Sequence, residues 1–378
     1  MPTTGDMRLV GTDHLEPGAV LARDVLAGKN GSVSLLRRGI VLDRRFIGGL
    51  QRAGIHAVYV DDELGRGIEV SPLLSEQTRS LAADALAAAF EQTGSGNRPT
   101  QALSDETLGQ MAAVVELLVA EVAQCGDAVV ALHDLAAANA YTFQHSIDVT
   151  ALGLLIGQRC LREQGWVDFR KQRRMDGAEE RLAQFGLGLM LHDIGKLFIS
   201  EEILSKPGPL DETEWEIVRQ HPLAGLGLLS PETTSALARV VVRSHHERWD
   251  GDGYPDGKCG NAIHQFARIA SVADVYDAVT SERPYRRAGR PQDGWHVIVD
   301  GAGSAFDPEV VSVFRRIVAP YPPGCEIVLD DGRRGVVVSV PPDALDQPRV
   351  RIGWDAHGKA VEPYELDLEQ LPGRTLVA

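Results

Sequence analysis

The sequence is short of everything that would carry it into or across a membrane. Its 378 residues hold no run of about 18 uncharged apolar residues, which is what a membrane-spanning helix needs. The opening MPTTGDMRLVGTDHLEPG lacks a basic segment followed by an apolar one, so no signal peptide is expected. Cysteine is sparse: Cys125, Cys160, Cys259 and Cys325 are scattered and form no C-x-x-C pair. That pattern predicts free thiols in a reducing, cytoplasmic setting rather than a disulfide framework. Basic residues are in deficit, 38 Lys and Arg against 53 Asp and Glu, for a formal net charge of −15. This argues against binding polymeric nucleic acid, which needs a basic face that releases counterions. It leaves room for a small phosphate ligand, which metal ions and a few placed cations can hold inside an acidic protein. No internal repeat is present.

What is there is a globular composition, 44% hydrophobic and 24% charged, at a length that suggests two or three domains. Residues 1–70 read as a small N-terminal α+β module. VGTDHLEPGAVLARDV gives a strand, a Pro-Gly turn and a strand, Asn30-Gly31 a hairpin turn, FIGGLQRAG a short helix and HAVYV a strand. Residues 71–103 read as an Ala- and Leu-rich helix followed by the linker GSGNRPTQALS. From 104 to 320 the pattern is helical nearly throughout, with helices opening at Asp105 and about Asp127 and a charged interruption at 162–181, an exposed loop or helix extension. FGLGLMLHDIGKL resumes a buried helix. Residues 321–378 turn to alternating strands around Asp331-Gly332 and read as a small C-terminal β-barrel. The fold class is therefore mainly α, a helical core with a small module at each end.

The chemistry sits in the helical stretch. His192-Asp193 lies on an apolar helix, where a carboxylate is costly unless paired or bound to metal. Lys196 follows four residues after His192, on the same helix face. A second feature is HHERWDGDGYPDG, with His245 and His246 about 100° apart on a helix and a turn-rich tail shaped by Gly251, Gly253 and Pro255. His145, His221 and Asp274 stand on further apolar helices. Singly each is unremarkable, but five histidines and two aspartates on helices of one domain exceed what packing needs. Nitrogen and oxygen donors without thiolate favour iron, manganese, zinc or nickel. His133-Asp134 has the same dipeptide but no following Gly-Lys, and is read as structural. His14, His56, His264, His296 and His357 are assigned to surface or packing roles.

The order His145, HDIGK, His221, HHERWDGDGYP and Asp274 closely resembles the HD-GYP family, a branch of the HD phosphohydrolases, over roughly 104–320. The segments HLEPGAVLARDV and LQRAGIHAVYV resemble the small domain often found before such phosphodiesterases. The resemblance implies an all-helical HD-type metal-hydrolase core acting on cyclic di-GMP with two divalent metal ions, iron first and manganese, nickel or zinc as alternatives. It implies His145, His192, Asp193 and Asp274 at one metal position and His221, His245 and His246 at the other, with Asp193 bridging. Lys196 matches the lysine beside the reacting phosphate, Arg283 and Arg286 match basic positions that hold the ligand's phosphates, and Gly253, Tyr254 and Pro255 match the signature loop. Some members carry a glutamate four residues before the first histidine as a third-metal ligand. Here that position is Tyr141, a poor substitute because a phenol stays protonated near neutral pH. The expected reaction is hydrolysis of cyclic di-GMP to linear pGpG or GMP by a hydroxide activated between two metals. Alternatives are another cyclic dinucleotide or nucleotide as substrate, or a non-catalytic cyclic di-GMP sensor. A homodimer or a signalling-protein partner is also expected to be compatible with this reading.

Overall fold

The computed structural model describes residues 7–27, 33–55, 57–69, 73–93, 102–125, 141–167, 172–281, 289–370 and 376. The Asn30-Gly31 turn, His56, most of the 94–103 linker, the helix expected from about Asp127 with His133-Asp134, and Arg283 and Arg286 lie outside these residues. So does the side chain of Tyr141.

The N-terminal module contains β1 (Arg8–Gly11), β2 (Val20–Leu21), β3 (Val25–Ala27), β4 (Val33–Leu36), α1 (Arg44–Arg52) and β5 (Ala57–Asp61). The strands either side of the Pro17-Gly18 turn do not pair with each other. Each lies antiparallel along one side of β5, in the order β1-β5-β2. β3 and β4 pair antiparallel, as the hairpin reading expects. α1 starts at Asp43, whose carboxylate accepts from Arg45 N and Phe46 N, each at 2.8 Å. Ile47 and Leu50, a turn apart, then bury against Val10, Leu21, Val58 and Val60.

The helical part comprises α2 (Glu76–Thr93), α3 (Asp105–Gln124), α4 (Tyr141–Gln164), α5 (Ala178–Met190), α6 (Glu201–Leu204), α7 (Glu212–Val218), α8 (His221–Gly227), α9 (Ala236–Ser244), α10 (Gln265–Thr280), α11 (Pro291–Asp300) and α12 (Pro308–Ile317). Its starts are written locally: Ser104 caps α3, Asp211 and Glu214 form a capping box on α7, and Ser235 caps α9. α5 is central and packs against α3, α4 and α9. α9 comes this close because residue 188 is glycine: a Cβ there would lie 2.8 Å from Val241 Cβ and 2.9 Å from the Ala238 backbone. The charged interruption is part helix, part hairpin. α4 runs to Gln164, and β6 (Trp166–Val167) pairs with β7 (Arg173–Arg174). Arg181 lies over the Trp166 ring.

The C-terminal strands β8 (Glu326–Val328), β9 (Arg334–Ser339), β10 (Arg349–Trp354) and β11 (Ala360–Asp367) form an antiparallel sheet in the order β11-β10-β9-β8. The turn at Asp331-Gly332 is present, with Gly332 at φ +86°. A closed barrel is not found: among the described residues β8 and β11 are the outer strands, with a single antiparallel bridge, Leu329 to Leu376, beside β8. Val336 of this sheet instead packs with Met7, Tyr59 and Ile68 of the N-terminal module. Leu9 N donates to Gly324 O at 3.0 Å, and Arg351 Nη1 donates to Leu64 O at 3.0 Å and Arg66 O at 2.6 Å. The two ends of the chain thus share one seam. Among the described residues no helix is long and apolar enough to cross a membrane.

Candidate metal centre

The candidate donors sit mostly where helices stop. The expectation that HDIGKL continues a buried helix is corrected. α5 ends at Met190, and Ile194–Phe198 form a 3-10 helix. His192 and Asp193 occupy the break between them. Gly195 makes the break possible, since a Cβ there would lie 1.9 Å from His221 O and 2.5 Å from Gly225 N. His221 is the first residue of α8, and His245 and His246 follow the end of α9. His145 and Asp274 lie within α4 and α10, which pack together.

All seven candidate donors come together, in two sets that meet at Asp193. Asp193 Oδ2 lies 3.6 Å from His145 Nε2 and 3.4 Å from His192 Nε2, and Asp274 Oδ1 lies 3.2 Å from His145 Nε2. Asp193 Oδ1 faces the other way, 3.3 Å from His221 Nε2 and 3.9 Å from His245 Nε2. His246 Nδ1 lies 3.6 Å from Asp274 Oδ2. Asp193, His221, His245 and His246 can converge on one ion, and His145, His192 and Asp274 on another.

The hydrogen bonds behind the rings fix which nitrogen points inward. His192 Nδ1 donates to Leu189 O at 2.7 Å, His221 Nδ1 to Val218 O at 2.7 Å and His245 Nδ1 to Val242 O at 3.0 Å. Each leaves its Nε2 as a bare acceptor aimed at the centre. The Nε2 atoms of His221 and His245 then face one another at 3.2 Å, two lone pairs with no proton between them. His192 Nε2 and Asp193 Oδ1 are buried and make no hydrogen bond. Inside a packed core such acceptors are costly unless a cation joins them. The donor set therefore fits divalent metal ions, with imidazole and carboxylate ligands of the kind iron, manganese, nickel and zinc accept.

The electrostatics agree. Burial alone would raise Asp193 and Asp274. Lys196 and His192 hold the first carboxyl well below its usual range, and His145 and His246 do so for the second. Burial and the neighbouring imidazoles push His245 well down, and burial takes His246 to about 3 against the pull of Asp274. His221 is lowered too, chiefly by burial. These rings are neutral, as ligands must be. His145 differs: burial lowers it, but hydrogen bonds to Asp274 and Asp277 outweigh that and raise it to about 9.

Lys196 Nζ donates to Asp193 Oδ2 at 2.5 Å, so its partner is the residue three before it. The signature loop is pinned from below by Glu247, 2% exposed, whose two oxygens accept from Asp256 N at 2.8 Å and Lys258 N at 2.9 Å. Gly253 passes so close to the chain that a Cβ would lie 2.3 Å from Arg248 N. Tyr254 then stacks on His246 with ring centroids 4.7 Å apart, and the Tyr254-Pro255 bond is cis. Burial, then Asp274 and Asp193, push the Tyr254 phenol above its usual range, which keeps it neutral. A groove of about 320 Å³, lined in part by Gly195, Phe198, Ile217 and Gln220, adjoins His221. Sequence reasoning passed over Glu247 and Asp277. Asp277 stands one helical turn after Asp274 in ADVYDAV, a spacing that puts both on one face of α10.

Residues 169–310 match the family described as HD domain, a span that holds every candidate donor except His145. The chain thus carries an HD domain built around a histidine and aspartate centre. Among curated proteins it is 34% identical over 254 residues to a cyclic di-GMP phosphodiesterase of Pseudomonas aeruginosa, covering 67% of this chain and 58% of that protein. It is 39% identical over 141 residues to a cyclic di-GMP phosphodiesterase response regulator of Xanthomonas campestris, 37% of either chain. It is 41% identical over 136 residues to a 3′3′-cGAMP-specific phosphodiesterase of Vibrio cholerae, 35% of this chain and 29% of that one. Within the HD class, the chain fits the HD-GYP family. It spans less than two thirds of the length of these relatives.

Proposed function

We propose that this chain is a metal-dependent phosphodiesterase that hydrolyses cyclic di-GMP to linear pGpG, GMP or both. The observation that supports this most is the Asp193 carboxylate, whose two oxygens face two separate histidine sets. The names of the relatives add support for the substrate. In this reading His145, His192 and Asp274 hold one divalent ion, His221, His245 and His246 hold a second, and Asp193 is shared. Iron is the first choice, with manganese, nickel or zinc as alternatives. Once bound, the pair supplies Lewis acidity, activating water near neutral pH and neutralising phosphoryl oxygens.

The chain's own residues do the rest. Lys196, with its ammonium beside Asp193, is positioned to donate to a phosphoryl oxygen and to neutralise charge as it develops. Gly253, Tyr254 and Pro255 form the wall against which the ligand rests, with Tyr254 as a neutral hydroxyl donor. Arg283 and Arg286, outside the described residues, are assigned to the substrate's phosphates. Residues 104–320 act as the catalytic unit, and residues 1–70 and 321–378 as flanking units for an input signal, in the cytoplasm.

The test is anaerobic purification, metal quantification and a turnover panel of cyclic di-GMP, 3′3′-cGAMP and linear pGpG. Turnover of cyclic di-GMP that a chelator abolishes is expected. Tight binding of cyclic di-GMP by metal-loaded protein without turnover would instead identify a sensor. A second reading, preference for 3′3′-cGAMP, is favoured by the similarity to the Vibrio cholerae protein, and the same panel separates the two.

A further inference from the structure

Three of the buried histidines share one way of holding their rings, and the fourth does not. His192, His221 and His245 stand just past helix ends, where the carbonyls of the last turn lack intrahelical partners. Each ring N–H is taken by such a carbonyl three residues back: Leu189 O, Val218 O and Val242 O. His145 lies inside α4, whose carbonyls are engaged in helix bonds. Its ring must find an acceptor on another helix. It finds Asp277: His145 Nδ1 donates to Asp277 Oδ2 at 2.6 Å, across 132 residues of sequence. Asp277 is 6% exposed, and its other oxygen accepts from Ser281 Oγ at 2.7 Å. One turn of α10 thus supplies both Asp274 and the anchor of His145.

We propose that Asp277 is a positioning residue that sets the metal affinity of the His145, His192 and Asp274 position alone. The inference rests on the two-metal reading above. A carboxylate behind an imidazole orients the ring and makes its inward nitrogen a better donor than a carbonyl does, and losing such a partner costs about 10–100-fold in metal affinity. The position formed by Asp193, His221, His245 and His246 has no such carboxylate behind the described rings of His221 and His245, and its affinity is independent of Asp277.

The experiment is equilibration of metal-loaded full-length protein against graded chelator, with metal counted per chain and each step followed by calorimetry. Parent protein should release two ions in two steps. Asp277→Ala should release one of them at about 10–100-fold lower chelator and keep the other unchanged. Ser281→Ala, which frees one Asp277 oxygen, should shift the same step less, and Asp277→Asn, which keeps an acceptor, should restore part of the loss. Asp277→Ala leaves a buried ring N–H without its acceptor and should lower the unfolding temperature of the metal-free protein, whereas Asp277→Asn keeps the acceptor. Metal release that stays weakened in Asp277→Asn at near-parent thermal stability separates positioning from packing. Unchanged release in Asp277→Ala, or equal weakening of both steps, would overturn the proposal. If the parent itself holds fewer than two ions, the two-metal reading fails first and this inference falls with it.

Discussion

Two of the places where the described residues bury charge resolve it in opposite ways. At the seam between the chain's ends, Arg8 is 9% exposed. Its guanidinium meets Asp62 at 2.8 Å and Glu326 at 2.6 Å, with the Trp354 ring 5.7 Å away. Protein atoms alone complete that cluster. In the helical core, five imidazoles converge on Asp193 and Asp274, yet His192 Nε2 and Asp193 Oδ1 make no hydrogen bond and two bare Nε2 atoms face each other. A satisfied buried cluster joins elements. An unsatisfied one in a well-packed core carries a free-energy cost that a bound cation would relieve. The same electrostatic rule therefore marks one place as architecture and the other as a site.

The largest expected effect breaks the core side of this comparison. Asp193→Ala removes the carboxylate common to both sets. Bound metal should fall and hydrolysis should drop by more than the roughly 10²–10³-fold that loss of one transition-state donor costs. Full activity with full metal content would show that Asp193 is not shared between ions. Next, Gly195→Ala should destabilise the fold by about 1–3 kcal/mol in urea unfolding, because its Cβ would overlap His221 O, a backbone atom that cannot swing away. Metal content should fall with it.

On the seam side, Arg8→Met keeps bulk but removes the cation. Asp62 and Glu326 are about one third exposed, with side-chain values of 35% and 34%, so water recovers part of the loss. About 1–2 kcal/mol is expected, less than the roughly 3–5 kcal/mol for breaking a fully buried pair. Metal content and turnover should not change; if they do, the seam and the centre are coupled.

The smallest effect is a pH dependence in the signature loop. Arg243 and Lys258 hold the Asp256 carboxyl well below its ordinary value of 3.8. A depressed carboxyl binds fewer protons folded than unfolded. Its contribution is complete above the ordinary value and is lost as pH falls below it. Trp249 fluorescence should report loosening of the loop only below about pH 4, worth under about 1 kcal/mol for so exposed a group. Asp256→Asn should remove that dependence. An unchanged acid transition in the variant would place the titration elsewhere.

Much of the centre was legible along the chain because its donors are chemically out of place. Histidine and aspartate inside apolar helices stand out whatever the fold, and all seven do converge. Ser104, Asp211 and Ser235 likewise announce helix starts, since a cap bonds only its own first turn. The break after Met190 was not legible. LMLHDIGKL has unbroken apolar spacing, and only the approach of α8 against Gly195 shows why the helix yields there. The arrangement of the C-terminal sheet was not legible for a similar reason. Its alternation is that of a barrel strand or of a sheet covered by something else, and the cover comes from Met7, Tyr59 and Ile68 at the other end of the chain.

The sequence by itself determined the donor types and their order, because those depend on residue identity alone, and its resemblance to a known family implied the HD class. Only the tertiary structure decided that Asp193 turns one oxygen to each histidine set, that Asp277 rather than a carbonyl holds His145, and that Arg8 ties the first strand to Glu326 across 318 residues. Those contacts join elements far apart in the chain, and a contact between distant elements leaves no periodic or local trace in either one.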